Sequence, residues 1–156
     1  MEAATHSRRA DVLRQLAGGF TGSHDELLAS LDGVRDLAQL HHYITAAKQL
    51  GQFRIQQERH IAWEEALLAE LEAHLGQRPS IAEARGAHRR VLELLREASA
   101  ALSAWEGPRF LRVLERLRTE LQTHWRHETE VLCNDFARML DELGTDHRVW
   151  DALRRK

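Results

Sequence analysis

Four histidines and two glutamates interrupt stripes of apolar residues that have the spacing of buried helix faces. They are His24, His60, Glu64, His88, His124 and Glu128. Glu64 follows His60 by four residues and Glu128 follows His124 by four, so each pair shares one face of a helix. A buried carboxylate without a partner is costly, and neither Lys nor Arg lies on these stripes. A pair of metal ions would neutralise both carboxylates, and mixed nitrogen and oxygen ligands suit iron or manganese.

The pattern predicts a specific division of ligands. We expect His24 and His60 on one metal ion and His88 and His124 on the other. Glu64 and Glu128 would bridge the two ions and leave open positions for a small ligand. Either His–Glu pair alone is more typical of a surface contact, so the prediction rests on their joint placement on four helices. A bundle without metal is the alternative, and Gln57 is an optional further member of the buried polar set.

Four long amphipathic helices would position these side chains. Ala, Leu, Glu and Arg dominate the composition, and all four favour helices. The remaining stripe residues are Leu27, Leu31, Val34 and Ala38 in the first helix, Leu50, Phe53, Leu67, Leu71 and Leu75 in the second, Ile81, Ala84, Val91, Leu95, Ala98 and Leu102 in the third, and Leu114, Leu117, Leu121, Leu132, Phe136 and Met139 in the fourth. The sequence therefore predicts an all-α fold, an up-down-up-down four-helix bundle.

The helix boundaries follow from capping and breaking residues. Capping boxes are predicted at Ser23 with Glu26 and at Ser80 with Glu83. The first turn is expected near residues 36–44, the second at 76–79, and the third at 107–108, with Gly144 ending the fourth helix. Short extra helices are predicted at both termini, over residues 5–17 and after Thr145. The chain would form a single domain, residues 1–156, with its bundle core at about 20–142.

Composition excludes several classes of partner. The net charge is -2 with acids and bases interspersed, which argues against a nucleic-acid interface. No apolar run is long enough to cross a membrane, and the first twenty residues lack the apolar core of a signal peptide. Cys133 is the single cysteine, so no internal disulfide forms and a cytoplasmic location is expected. The sequence does not indicate a protein partner.

The other histidines and the tryptophans receive ordinary structural interpretations. Trp63 and Trp125 flank the ligand turns and are expected to pack in the core around the site, with Cys133 as a packed thiol. Solvated or capping roles are expected for the six remaining histidines, which are His6, His41, His42, His74, His127 and His147.

Four segments resemble the hemerythrin-like, or HHE cation-binding, family. They are HDELLASL from His24, HIAWEEALL from His60, HRRVLELL from His88 and HWRHETEVL from His124. The resemblance implies a four-helix bundle around an oxo- or hydroxo-bridged pair of iron ions, with manganese or zinc as lesser alternatives. It also implies one of the family's activities: oxygen binding, sensing, nitric oxide handling or iron–sulfur repair. A ferritin-like bundle is disfavoured because no His has a Glu three residues before it.

Two departures separate this chain from the oxygen-carrying members. Ala84 stands where they have a second His on the third helix, and the His124–Glu128 pair replaces a His and Asp spaced by five. Four His and two Glu look more like the iron-centre repair branch, which carries an extra cysteine-containing domain, whereas residues 1–20 here have no Cys. The leading hypothesis is a non-haem di-iron protein that binds or senses a small diatomic ligand, oxygen or nitric oxide. The alternatives are a di-iron enzyme acting on oxygen, peroxide or nitric oxide, and an iron donor for damaged iron–sulfur centres.

Overall fold

The computed structural model describes residues 24–142, and all regular structure within that range is helical. The helices are α1 (His24–Gln39), α2 (Tyr43–Leu75), α3 (Pro79–Ser103) and α4 (Gly107–His127), followed by a π-helical segment (Glu128–Leu132) and α5 (Cys133–Glu142). The last three elements follow one another without a break and form the fourth helix of the bundle. The helical bundle predicted from the stripes is confirmed. The predicted terminal helices and Ser23 lie outside the described residues.

Three-residue connections join the long helices, at residues 40–42, 76–78 and 104–106. The first lies inside the span predicted for that turn. Gly76 adopts a φ of 77°, a left-handed conformation that glycine tolerates, and its N–H donates to the Glu72 carbonyl at 2.8 Å. This contact ends α2 where the sequence predicted.

The capping box predicted at Ser80 is wrong. The N-cap residue is Arg78, and α3 begins at Pro79. The fixed φ of proline suits the first helical turn, and its missing N–H needs no cap. Ser80 is therefore already inside the helix, and its hydroxyl donates to Oδ2 of Asp135 at 2.6 Å. The serine links α3 to α5 instead of capping α3.

The third turn was predicted at residues 107–108 but lies at 104–106, because Gly107 and Pro108 already belong to the first turn of α4. A Cβ atom on Gly107 would lie 2.5 Å from Oη of Tyr43, the first residue of α2. Glycine is therefore needed here for close approach, because any side chain would displace Tyr43. This contact joins the start of α2 to the start of α4.

The core consists of two apolar clusters with polar residues between them. One cluster includes Leu50, Phe53 and Ile61 of α2, and the other begins at Leu67 of the same helix. The same division recurs along α3 and the fourth helix. His60, Glu64, His88, His124 and Glu128 are buried in the interval. Apolar packing on both sides shields this interval from bulk water.

No helix in residues 24–142 is long and apolar enough to span a membrane.

Candidate metal centre

All six side chains predicted as metal ligands meet in the interior of the bundle. Their ligand atoms form two overlapping sets, each with all atoms within 4.8 Å of one another. One set is His24, His60, Glu64 and Glu128, and the other is Glu64, His88, His124 and Glu128. The two carboxylates belong to both sets, as the predicted bridging role requires.

Glu64 lies at the centre of the cluster. Its Oε2 is 2.7 Å from Nε2 of His88 and 3.4 Å from Nε2 of His124. Its Oε1 contacts Nε2 of His60 and lies 3.9 Å from Nε2 of His24. Each of the four helices of the bundle thus directs one imidazole nitrogen at this carboxylate.

Glu128 completes the cluster from the fourth helix. Its Oε1 lies 2.5 Å from Nε2 of His124 and its Oε2 lies 3.2 Å from Nε2 of His24. Despite these distances, neither oxygen has a partner in hydrogen-bond geometry, and the same holds for Oε1 of Glu64. Buried polar atoms are rarely left in this state. Buried carboxylate oxygens that lack hydrogen-bond donors and lie beside imidazole nitrogens fit a site for cations.

The two carboxyl groups differ in their electrostatic environment when no metal is bound. Burial alone would raise the pKa of Glu64, but the four surrounding imidazoles lower that pKa well below its usual range. Burial and the Glu64 charge raise the pKa of Glu128 well above its usual range, against the opposing effect of His24. Glu64 therefore carries the negative charge, and Glu128 is the carboxyl that resists ionisation.

His24 is the most accessible of the six residues. Its side chain is 16% exposed, whereas those of Glu64 and Glu128 are 1% exposed. Burial opposes protonation of His24, but the nearby carboxylates of Glu128 and Glu64 raise its pKa overall. A cavity of about 320 Å³ between α1 and α2 reaches His60, with Leu27, Ser30, Arg59 and Trp63 among its lining residues. The His24 and His60 side of the cluster is thus the side nearer to solvent.

The π-helical segment begins at Glu128 itself, and the sequence analysis did not anticipate it. The inward residues His124, Glu128, Leu132 and Phe136 follow one another at steps of four. An α-helix turns about 100° per residue, so three such steps would rotate the stripe by about 120°. The wider π turn absorbs this drift, and all four residues are buried. The repeated spacing of four residues was the feature of the sequence that could have indicated a π turn.

The two tryptophans near the ligands behave differently. Trp125 is buried and stacks on His24, with ring centroids 4.4 Å apart, as expected for packing around the site. The expectation for Trp63 is wrong, because its side chain is 52% exposed. Trp63 precedes the inward-facing Glu64 by one residue and is therefore rotated by about 100° away from the core.

The remaining histidines within the described residues lie outside the cluster, as predicted. His41 and His42 are exposed at the first turn. Nε2 of His74 is 2.9 Å from Glu142, and Nε2 of His127 is 3.1 Å from the Ser80 carbonyl oxygen. His6 and His147 lie outside the described residues. Cys133 is buried, in agreement with its predicted role as a packed thiol.

Two neighbouring positions add no ligand. Ala84 is fully buried in the apolar cluster that contains Leu67 and Ile81, and its methyl group offers no ligand atom. Gln57 is fully buried one turn before His60, and neither its Oε1 nor its Nε2 has a hydrogen-bond partner. An unpaired buried amide opposes folding.

Gln57→Met is accordingly expected to raise the free energy of unfolding of the metal-free protein by about 1 kcal/mol, since it removes unpaired polar atoms at similar volume. Urea denaturation measures this change. Gln56→Met is the matched control, because Gln56 is exposed and should change stability little. A Gln57→Met protein less stable than the wild type would show that the amide is satisfied in solution.

A family model for the hemerythrin HHE cation-binding domain matches residues 15–136. The chain belongs to this family. The match spans all six residues of the buried His–Glu cluster of this hemerythrin-like chain. Comparisons with curated proteins and with solved structures gave no match.

Proposed function

We propose that the cluster holds two iron ions in an up-down-up-down hemerythrin-like bundle. His24 and His60 would bind one ion, His88 and His124 the other, with Glu64 and Glu128 bridging them. The overlap of the two ligand sets at the two carboxylates is the observation that carries this proposal. Nitrogen and oxygen ligands together suit iron, with manganese or zinc as the alternatives.

The proposed role is to bind or sense a small diatomic ligand, oxygen or nitric oxide. Two imidazoles and two shared carboxylates would give each ion fewer protein ligands than iron ordinarily takes, so each ion would have room for a further small ligand. Iron supplies the redox and ligand-binding chemistry when bound. The protein contributes a buried site, because five of the six side chains are at most 4% exposed.

The residues around the site have separate tasks in this proposal. The apolar clusters on both sides exclude water and so strengthen the interaction between the carboxylates and the ions. His24, which is the accessible ligand and stacks on Trp125, lies where a ligand would arrive from solvent. We further propose a cytoplasmic location, in which the single thiol stays reduced.

The test is to titrate the reduced, iron-loaded protein with nitric oxide without oxygen, and separately with oxygen, while recording the visible spectrum. A saturable spectral change that reverses on removal of the gas is the expected result. Continuous consumption of oxygen, peroxide or nitric oxide with an added reductant would favour an enzyme. Transfer of iron to an apo iron–sulfur protein would favour an iron donor. A spectrum unchanged by either gas would contradict the proposed role.

A further inference from the structure

His88 lies between two consecutive carboxylates of α2, Glu64 on its inner side and Glu65 on its outer side. Its Nε2 is 2.7 Å from Oε2 of Glu64, and its Nδ1 is 2.5 Å from Oε1 of Glu65. A neutral imidazole carries one proton and can donate to only one of these groups. If Nδ1 donates to Glu65, the Nε2 lone pair faces the cluster and is free to bind a cation.

Glu65 is held in place by a charged chain that leads away from the site. Its Oε2 accepts from Nε of Arg85 at 3.3 Å, and Nη1 of Arg85 donates to Oε2 of Glu72 at 2.8 Å. The side chain of Glu65 is 38% exposed and that of Arg85 31% exposed, so the chain runs along the surface between α2 and α3. Arg85 is permanently cationic and pairs with both carboxylates.

The second imidazole proposed for the same ion has no such support. Nδ1 of His124 is buried without a hydrogen-bond partner. The rings of His88 and His124 lie edge to face with centroids 4.8 Å apart. They therefore occupy the same part of the site but differ in the hydrogen bonding of Nδ1. His88 thus differs from His124 in having a carboxylate, that of Glu65, at its Nδ1 atom.

We propose that Glu65 is a positioning residue for the metal centre and acts through His88. By accepting the Nδ1 proton, it fixes the tautomer and ring orientation of His88. The inference rests on the proposed metal-binding function. Glu65 is not itself a proposed ligand; it contacts His88 on one side and Arg85 on the other.

The experiment compares Glu65→Ala and Glu65→Gln with the wild type by titrating metal-free protein with Co²⁺ against a competing chelator. Loss of a partner behind a metal-bound histidine typically costs about 10–100-fold in affinity. We expect a loss of that size for one of two ions in Glu65→Ala, and a smaller one in Glu65→Gln, whose amide oxygen still accepts. Glu72→Ala is the matched control, because Glu72 contacts Arg85 but not His88, and its affinity should stay near that of the wild type.

A second readout separates positioning from a general structural effect. Imidazole nitrogen NMR of the Zn²⁺-loaded protein should show His88 bound through Nε2 with a protonated Nδ1, and this Nδ1 signal should shift in Glu65→Ala. Thermal unfolding of the metal-free variants should differ little between Glu65→Ala and Glu72→Ala. Unchanged Co²⁺ affinity and an unchanged Nδ1 signal in Glu65→Ala would overturn the inference while leaving the proposed function intact. A wild-type chain that binds no metal would overturn both.

Discussion

Replacing Glu64 by alanine is expected to remove both metal ions from the protein. Glu64 lies within contact distance of all four imidazoles, and it belongs to both ligand sets. Its loss deprives each ion of a ligand and of a neutralising charge. Because partners that merely support a ligand are worth about 10–100-fold in metal affinity, loss of a shared ligand should lower the affinity for both ions by more than about 100-fold.

Two comparisons make this prediction specific to the cluster. His88→Ala should weaken mainly one ion, because His88 belongs to only one of the ligand sets. Glu58→Ala removes an exposed carboxylate of the same helix, which pairs with Arg54, and should leave both ions bound. Competition titrations with Co²⁺ measure all three variants. A Glu64→Ala protein that retains two tightly bound ions would exclude the proposed bridging role.

Neutralising Glu128 is expected to stabilise the metal-free protein. Burial and the charge of Glu64 raise the pKa of Glu128 well above its usual range, so the folded protein holds this proton more tightly than the unfolded chain. The stability of the wild type must then fall as pH rises above the ordinary carboxyl range, until Glu128 ionises in the folded state. The slope reaches about 1.4 kcal/mol per pH unit for one proton. The pKa of His24 is also raised, so its contribution to stability is likewise lost as pH rises.

Glu128→Gln should therefore raise the melting temperature of metal-free protein at neutral pH and flatten its decrease with pH. The expected difference is about 3–6 °C for each pH unit above the ordinary carboxyl range. Glu64→Gln should act in the opposite direction, because the pKa of Glu64 is lowered and its ionised form contributes stability that is lost only as pH falls through that lowered pKa. Thermal melts between pH 5 and pH 8 compare the three proteins. A Glu128→Gln protein that melts below the wild type across this range would contradict the proposed electrostatics.

The clustered residues were predictable from the sequence because each is a polar side chain on an apolar stripe. Helical periodicity alone places such a side chain in the core, and the agreement of four stripes identifies a common site. The turn at residues 40–42 was predictable for a related reason, since His24 and His60 can lie side by side only if the chain reverses near their midpoint.

Features that depend on neighbouring helices were not predictable in the same way. The sequence around Ser80 fits a capping box, but Pro79 starts α3 and Asp135, 55 residues away, takes the serine hydroxyl. Glu65 looks like an ordinary surface acid until the packing of α2 against α3 brings it to His88. Trp63 adjoins Glu64 in sequence but lies on an exposed face of α2, because one residue along a helix changes the face by about 100°.

The central claim, a pair of metal ions in one chain, is tested most directly by elemental analysis of protein produced with ample iron and purified without added metal. The account predicts two iron atoms per chain, and none in the His60→Ala, His124→Ala double variant, which removes one imidazole from each ligand set. One metal atom or fewer per wild-type chain, or full binding retained by the double variant, would contradict it.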